Sequence, residues 1–136
     1  MPALMAALAC LAAPTLTLTL ALTLTLALPA RAADPVVLRV FADCAGRMSA
    51  LVEDQRLFDG AASERSAVEL RALTDLIEAA MPADQGRQVL NWRISAKAAF
   101  RALLAQSHFA TDPAHRTRAG RRAEALIAEC RGMLLM

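Results

Sequence analysis

Tyrosine is absent from this chain of 136 residues, aromatic residues make up only 4%, and there are two histidines and five glycines. So few imidazoles leave little material for general acid–base chemistry, and no G-x-S-x-G, H-E-x-x-H or P-loop glycine pattern occurs. Ser107 adjoins His108, but consecutive helical residues diverge by about 100° and do not face each other. A non-enzyme with no catalytic residues is the expectation. Without C-x-x-C-H there is no covalent haem attachment. A bundle can hold haem through Met and His, and Met48 and His108 are the candidates, although one is mid-helix and the other terminal. The expectation is therefore no cofactor and no metal, with Met48 as core and His108 as a helix-end residue.

Charge is also missing from one long stretch. No charged side chain occurs from Met1 to Ala30, and a Leu/Thr-rich run from Thr15 to Leu28 fills much of it. Pro29-Ala30-Arg31-Ala32 follows, a small-residue A-x-A site after an apolar region, the signature of a secretory signal peptide. Cleavage is placed after Ala32, giving residues 1–32 as signal peptide and 33–136 as one helical domain. An uncleaved membrane anchor is the alternative, since the apolar run from Ala3 to Leu28 is long enough to span a bilayer. A lipoprotein reading of Cys10 is weak, with too little hydrophobic chain before it. Periplasmic or secreted localisation follows from cleavage.

Only Cys44 and Cys130 remain after residue 32. An even count in an oxidising compartment favours a bond between them. It would close a loop of about 85 residues, which the chain-entropy estimate values at about 4–5 kcal/mol.

Ala, Leu, Arg and Glu dominate the remainder and favour helix. Four helices are predicted. The first has Asp34 as N-cap and Pro35 at its first position, and ends at Phe58 before Asp59-Gly60. Its seam is Val37, Phe41, Cys44, Met48, Leu51, Gln55 and Phe58. The second follows Ser63 as N-cap, ends near Met81 and buries Leu70, Leu73, Ile77 and Ala80, with Leu76 widening the stripe. The third runs from about Ala83 to His108, with Val89, Trp92, Ala96, Ala99 and Leu103 inward, flanked by Leu90, Ile94, Phe100 and Leu104. The fourth, capped by Thr111 or Asp112, runs to about Gly132 with Ala119, Ala123, Ile127 and Cys130 inward. Short connections predict antiparallel neighbours, hence an all-α antiparallel four-helix bundle. Cys44, early in the first helix, and Cys130, late in the fourth, then lie at the same height.

From Ala33 to Ala83 there are five basic and nine acidic side chains; from Asp84 to Met136 there are nine and four. The near-neutral total excludes a general nucleic-acid binder. Either the acidic helices pair across the surface with the basic ones, or the basic half meets an anionic partner. Arg118, Arg121 and Arg122 share a face by i, i+3, i+4 spacing and could meet a phosphate or a membrane surface; Glu124, Glu129 and the first helix are their expected intramolecular partners. Trp92 is expected in the core, and is the first choice for an interface anchor if it is not. Gln55 is a candidate hydrogen-bond partner for Trp92 or Asn91.

Cys44-Ala45-Gly46-Arg47-Met48-Ser49-Ala50, Gly86-Arg87-Gln88-Val89-Leu90-Asn91-Trp92-Arg93 and Glu129-Cys130-Arg131 together resemble small exported two-cysteine helical proteins of alphaproteobacterial type. The likeness covers nearly all of the chain after residue 32, and implies location and fold but no activity. Periplasmic chaperones bearing Leu-Thr-x-x-Gln fit less well, because Leu73-Thr74-Asp75-Leu76-Ile77 lacks the Gln. Three functions stay open. The first is an exported binding protein serving envelope maintenance or acting as a chaperone, with another exported protein as its partner. The second is a dedicated partner or inhibitor protein using the basic face of the last helix. The third is a small haem or metal carrier. The mass of the protein recovered from its native host tests the export reading. A chain starting at Ala33, lighter by about two hydrogens before reduction, is expected; a full-length, reduced chain would replace it with a membrane anchor.

Overall fold

The computed structural model describes residues 34–135, so the signal-peptide segment, its cleavage site, the anchor alternative and Cys10 lie outside the described residues. Four helices make up the described chain: α1 (Pro35–Phe58), α2 (Gly60–Ala80), α3 (Gly86–Phe109) and α4 (Pro113–Leu134). α1 starts as its sequence predicts, with the Asp34 carboxylate accepting from the Val36 amide and Pro35 in the first turn. Asp112 rather than Thr111 caps α4, accepting from the amides of Ala114 and His115.

The α1–α2 junction differs from the sequence expectation. Asp59 closes α1 with its backbone N–H, donated to the Gln55 carbonyl, and opens α2 with its carboxylate, which accepts from the Ala62 amide. One residue thus serves both helix ends, and α2 begins at Gly60 instead of after Ser63. Ser63 lies inside α2, buried, and donates its hydroxyl to the Val52 carbonyl of α1. α3 starts at Gly86, three residues later than expected, and Gln85 before it supplies no side-chain cap.

The chain runs up, down, up and down. Glu53 meets Lys97, Phe58 meets His108, and Arg39 meets Trp92, so α1 and α3 advance in the same direction. This parallel pair is the most extensive contact in the molecule; α1–α2 and α3–α4 follow. α2 and α3 bring no Cα atoms within 8 Å of each other, although they are consecutive and joined by a short loop. Connection length predicts them as neighbours, but the closeness of α1 and α3 overrides it. Gly46 is the reason. A Cβ there would collide with the Arg93 carbonyl oxygen of α3, and would lie 2.9 Å from Ala96 Cβ and 3.0 Å from the Lys97 nitrogen. Only glycine, facing a small residue, lets the two backbones come this near.

With neighbours on several sides, α1 buries a wider surface than one seam. Leu38, Ala42, Ala45 and Met48 are completely covered, and Cys44, Ala50 and Val52 nearly so. Val37 and Phe58, placed inward by the sequence pattern, are instead exposed. The same correction applies to Leu90 and Ile94, whose face of α3 turns away from α1, while Val89, Phe100 and Leu104 are buried. Leu73 and Ile77 of α2 are buried and Leu76 is exposed. The inner face of α4 is as predicted, with Ala119, Ala123, Ile127 and Cys130 all buried.

Cys44 and Cys130 form the expected disulfide, with Cα atoms 5.5 Å apart and the two residues 86 positions apart in sequence. α4 touches α1 and α2 only sparsely, so this bond is its principal tie to α1. Cross-linking a loop of this length contributes about 4–5 kcal/mol by restricting the unfolded chain, a large share of a small domain's net stability.

Glycines at two helix interiors should respond in opposite senses. Gly46→Ala forces backbone against backbone and is expected to cost about 2–3 kcal/mol, more than the helix propensity it gains. Gly120→Ala meets only Ser107 Cβ at 3.9 Å and should gain up to about 1 kcal/mol. Urea midpoints of the two variants check both signs.

Candidate functional site

The sequence-predicted site residues fall at separate places. Trp92 is half-buried near the start of α1, with the Arg39 guanidinium over its ring at 5.6 Å from the centroid, a cation–π contact. It borders an open depression with Val36, Arg39 and Gln88 and is not a fully enclosed core residue. Arg118, Arg121 and Arg122 sit far along the bundle on α4, all exposed. Arg118 lies 3.8 Å from Asp112, the cap of its own helix, and not against Glu124 or Glu129. Arg121 and Arg122 make no ion pair among the described residues. Arg116, in the same segment, donates to the carbonyl of Ala110 at 2.7 Å and holds the α3–α4 loop to the end of α3. This turns part of the basic cluster to a structural use.

The uneven division of charge is resolved across the helices. Lys97 meets Glu53 at 2.5 Å, His108 meets Asp54 at 3.1 Å, and Arg131 meets Glu69 at 3.0 Å. Each pair joins the acidic first half of the chain to the basic second half. All are partly solvated, so each contributes little alone.

Gln55 does not reach Trp92 or Asn91. It lies at the opposite end of α1, facing α3 and α4, and its Oε1 is buried without a hydrogen-bond partner. Around it opens a cleft of about 360 Å³ between α1, α3 and α4, the size range of small-molecule sites. Leu51, Phe100, Leu104 and Ile127 supply its apolar wall; Ser107, His108 and Glu124 are among its polar lining. On the α4 side the cleft is lined by Gly120, Ala123, Glu124, Ile127 and Ala128, the stretch of helix that leads to Cys130, where α4 is bonded to α1. The sequence signal for it was a polar residue in an apolar seam facing small residues, legible only once the helices facing Gln55 are known.

A third feature was missed from sequence. Where α1 and α3 end side by side, Leu57, Phe58 and Phe109 stand 78%, 60% and 75% exposed. His108 lies between the rings, 4.7 Å from Phe58 and 5.7 Å from Phe109. Periodicity placed Phe58 inward, but its helix outruns the core.

Met48 is fully buried in the core, and His108 is engaged by the Asp54 carboxylate; among the described residues, no group of acidic, His and Cys side chains is arranged to hold a metal. No helix among the described residues is long and apolar enough to cross a membrane. No family model matches the chain, and neither curated proteins nor solved structures yield a match.

The orphaned oxygen of Gln55 gives a direct test of whether the fold uses that side chain. Gln55→Leu removes a buried unpaired acceptor at similar volume and should raise stability by about 1 kcal/mol. The check is a higher urea midpoint at unchanged slope; a loss would show that the amide is needed by the fold.

Proposed function

We propose that the mature chain is a non-enzymatic exported protein, periplasmic or secreted, that binds exposed apolar segments of other exported proteins in a chaperone-like role. The observation that carries this reading is the aromatic end of the bundle. Leu57, Phe58 and Phe109 border a depression of about 190 Å³ together with Leu104, Ala105 and Arg101. Grouped exposed apolar side chains rimmed by charge mark an interaction surface. Aromatic anchors adapt to many apolar partners while costing little side-chain entropy. The Cys44–Cys130 bond supports an oxidising compartment.

A second reading rests on Arg121 and Arg122, exposed and without ion-pair partners among the described residues. It makes the protein a dedicated partner of one acidic exported protein. One experiment separates the two. The oxidised protein should suppress light scattering from an unrelated reduced, aggregating protein at near-stoichiometric amounts. Phe58→Ser combined with Phe109→Ser should abolish suppression, and Arg118→Glu, Arg121→Glu and Arg122→Glu together should leave it. No suppression by the parent protein, with capture of a single partner that is lost on arginine reversal, would favour the second reading and overturn the first.

A further inference from the structure

α1, α3 and α4 also enclose a groove that shares only Phe100 with the cleft around Gln55 and none of its lining with the aromatic end. Its volume is about 240 Å³, below the ~300–1,000 Å³ of drug-sized sites, so it suits a small ligand. α3 supplies an apolar wall with Ala96, Ala99, Phe100 and Leu103, and α4 adds Leu126. Two cations and one carboxylate complete the lining: Arg47 and Asp43 from α1, and Arg122 from α4. Asp43 is already engaged by Arg39, whose Nε lies 3.8 Å from its carboxylate. Neither Arg47 nor Arg122 has an ion-pair partner among the described residues. Arg47 is the more telling of the two. It is half-buried, and its one hydrogen-bond contact runs from a terminal guanidinium nitrogen to Cys130 Sγ at 3.9 Å, a weak acceptor. A guanidinium does not lose its proton, so Arg47 cannot relieve partial burial by becoming neutral. The unmet demand of the groove is for an anion, beside an apolar wall.

We propose that this groove binds a small carboxylate with an apolar body, its carboxylate at Arg47 and its body against Phe100, Leu103 and Leu126. An arginine can receive a carboxylate through two parallel N–H bonds, and Arg122 adds a second positive charge from the α4 side. A cationic ligand would meet two guanidinium groups with only the Arg39-engaged Asp43 to offset them. An uncharged ligand would leave Arg47 unanswered, and a small inorganic anion would leave the apolar wall wet. The site is independent of the chaperone-like reading, since Leu57, Phe58 and Phe109 take no part in it.

The test follows backbone amide shifts of the oxidised protein with three probes that share one apolar body: 3-phenylpropionate, 3-phenyl-1-propanol and 3-phenylpropylamine. The acid should give saturable shifts at Arg47, Ala99, Leu103 and Leu126. The alcohol should bind about tenfold more weakly, the value of one half-buried charge-assisted pair, and the amine more weakly still. Arg47→Gln should bring acid and alcohol to equal affinity. Arg122→Gln, a change at an exposed position, should weaken the acid about two- to threefold and leave the alcohol unchanged. Ala99→Leu, which fills the groove from an exposed position on α3, should block all three. An acid that binds no more tightly than the alcohol would overturn the proposal. So would acid-induced shifts confined to Ser107, Gly120 and Glu124, no saturable shift at all, or an undiminished acid preference in Arg47→Gln protein.

Discussion

The close parallel approach of α1 and α3 at Gly46 is the contact on which the rest of the structure depends. Backbone meets backbone there, against the Arg93 carbonyl and the Lys97 nitrogen. In a bundle with four equivalent corners, parallel helices lie diagonally apart and consecutive helices touch. Here the diagonal is closed, and α2 and α3 each pack on α1 without approaching one another closely. α1 becomes the buried axis of the domain, which is why Leu38, Ala42, Ala45 and Met48 have no exposed surface.

That arrangement leaves α4 leaning on α3, with few contacts to α1 and α2. The Cys44–Cys130 bond compensates by fixing α4 to α1 covalently at one level. Before that bond, between Gly120 and Ala128, α4 and the facing parts of α1 and α3 leave a cleft, with Gly120 and Ala123 beside Ile127 in its lining. At the far end, α1 and α3 finish together and carry Leu57, Phe58 and Phe109 past the last layer of core, with no helix left to cover them.

Much of this was legible in the residues. Asp34-Pro35 and Asp112-Pro113 mark helix starts by local chemistry, and the structure uses both, settling the α4 cap on Asp112 in place of Thr111. The inner face of α4 follows a 4-4-3 spacing that needs no tertiary knowledge. The Asp59 junction was harder, because one residue serves as both C-cap and N-cap and Ser63 is an equally good cap by type. Ser63 is drawn inside α2 by its hydrogen bond to the Val52 carbonyl, a tertiary contact. Phe58, Leu90 and Ile94 fit helical periodicity, yet are exposed because periodicity identifies a face without saying whether another helix covers it.

The sequence by itself determined the helical class, the helix ends set by aspartate and proline, the α4 inner face and the pairing of Cys44 with Cys130. These depend on local backbone chemistry, on spacing along one helix, or on there being one pair to join. Tertiary structure alone decided that α1 and α3 meet most closely, that Gln55 faces a cleft instead of Trp92, and that acidic and basic halves pair as Glu53–Lys97, Asp54–His108 and Glu69–Arg131. Those outcomes turn on which helix faces which. In this chain the missing Cβ at Gly46 permits the α1–α3 approach, since a Cβ there would collide with a backbone 47 residues away at Arg93.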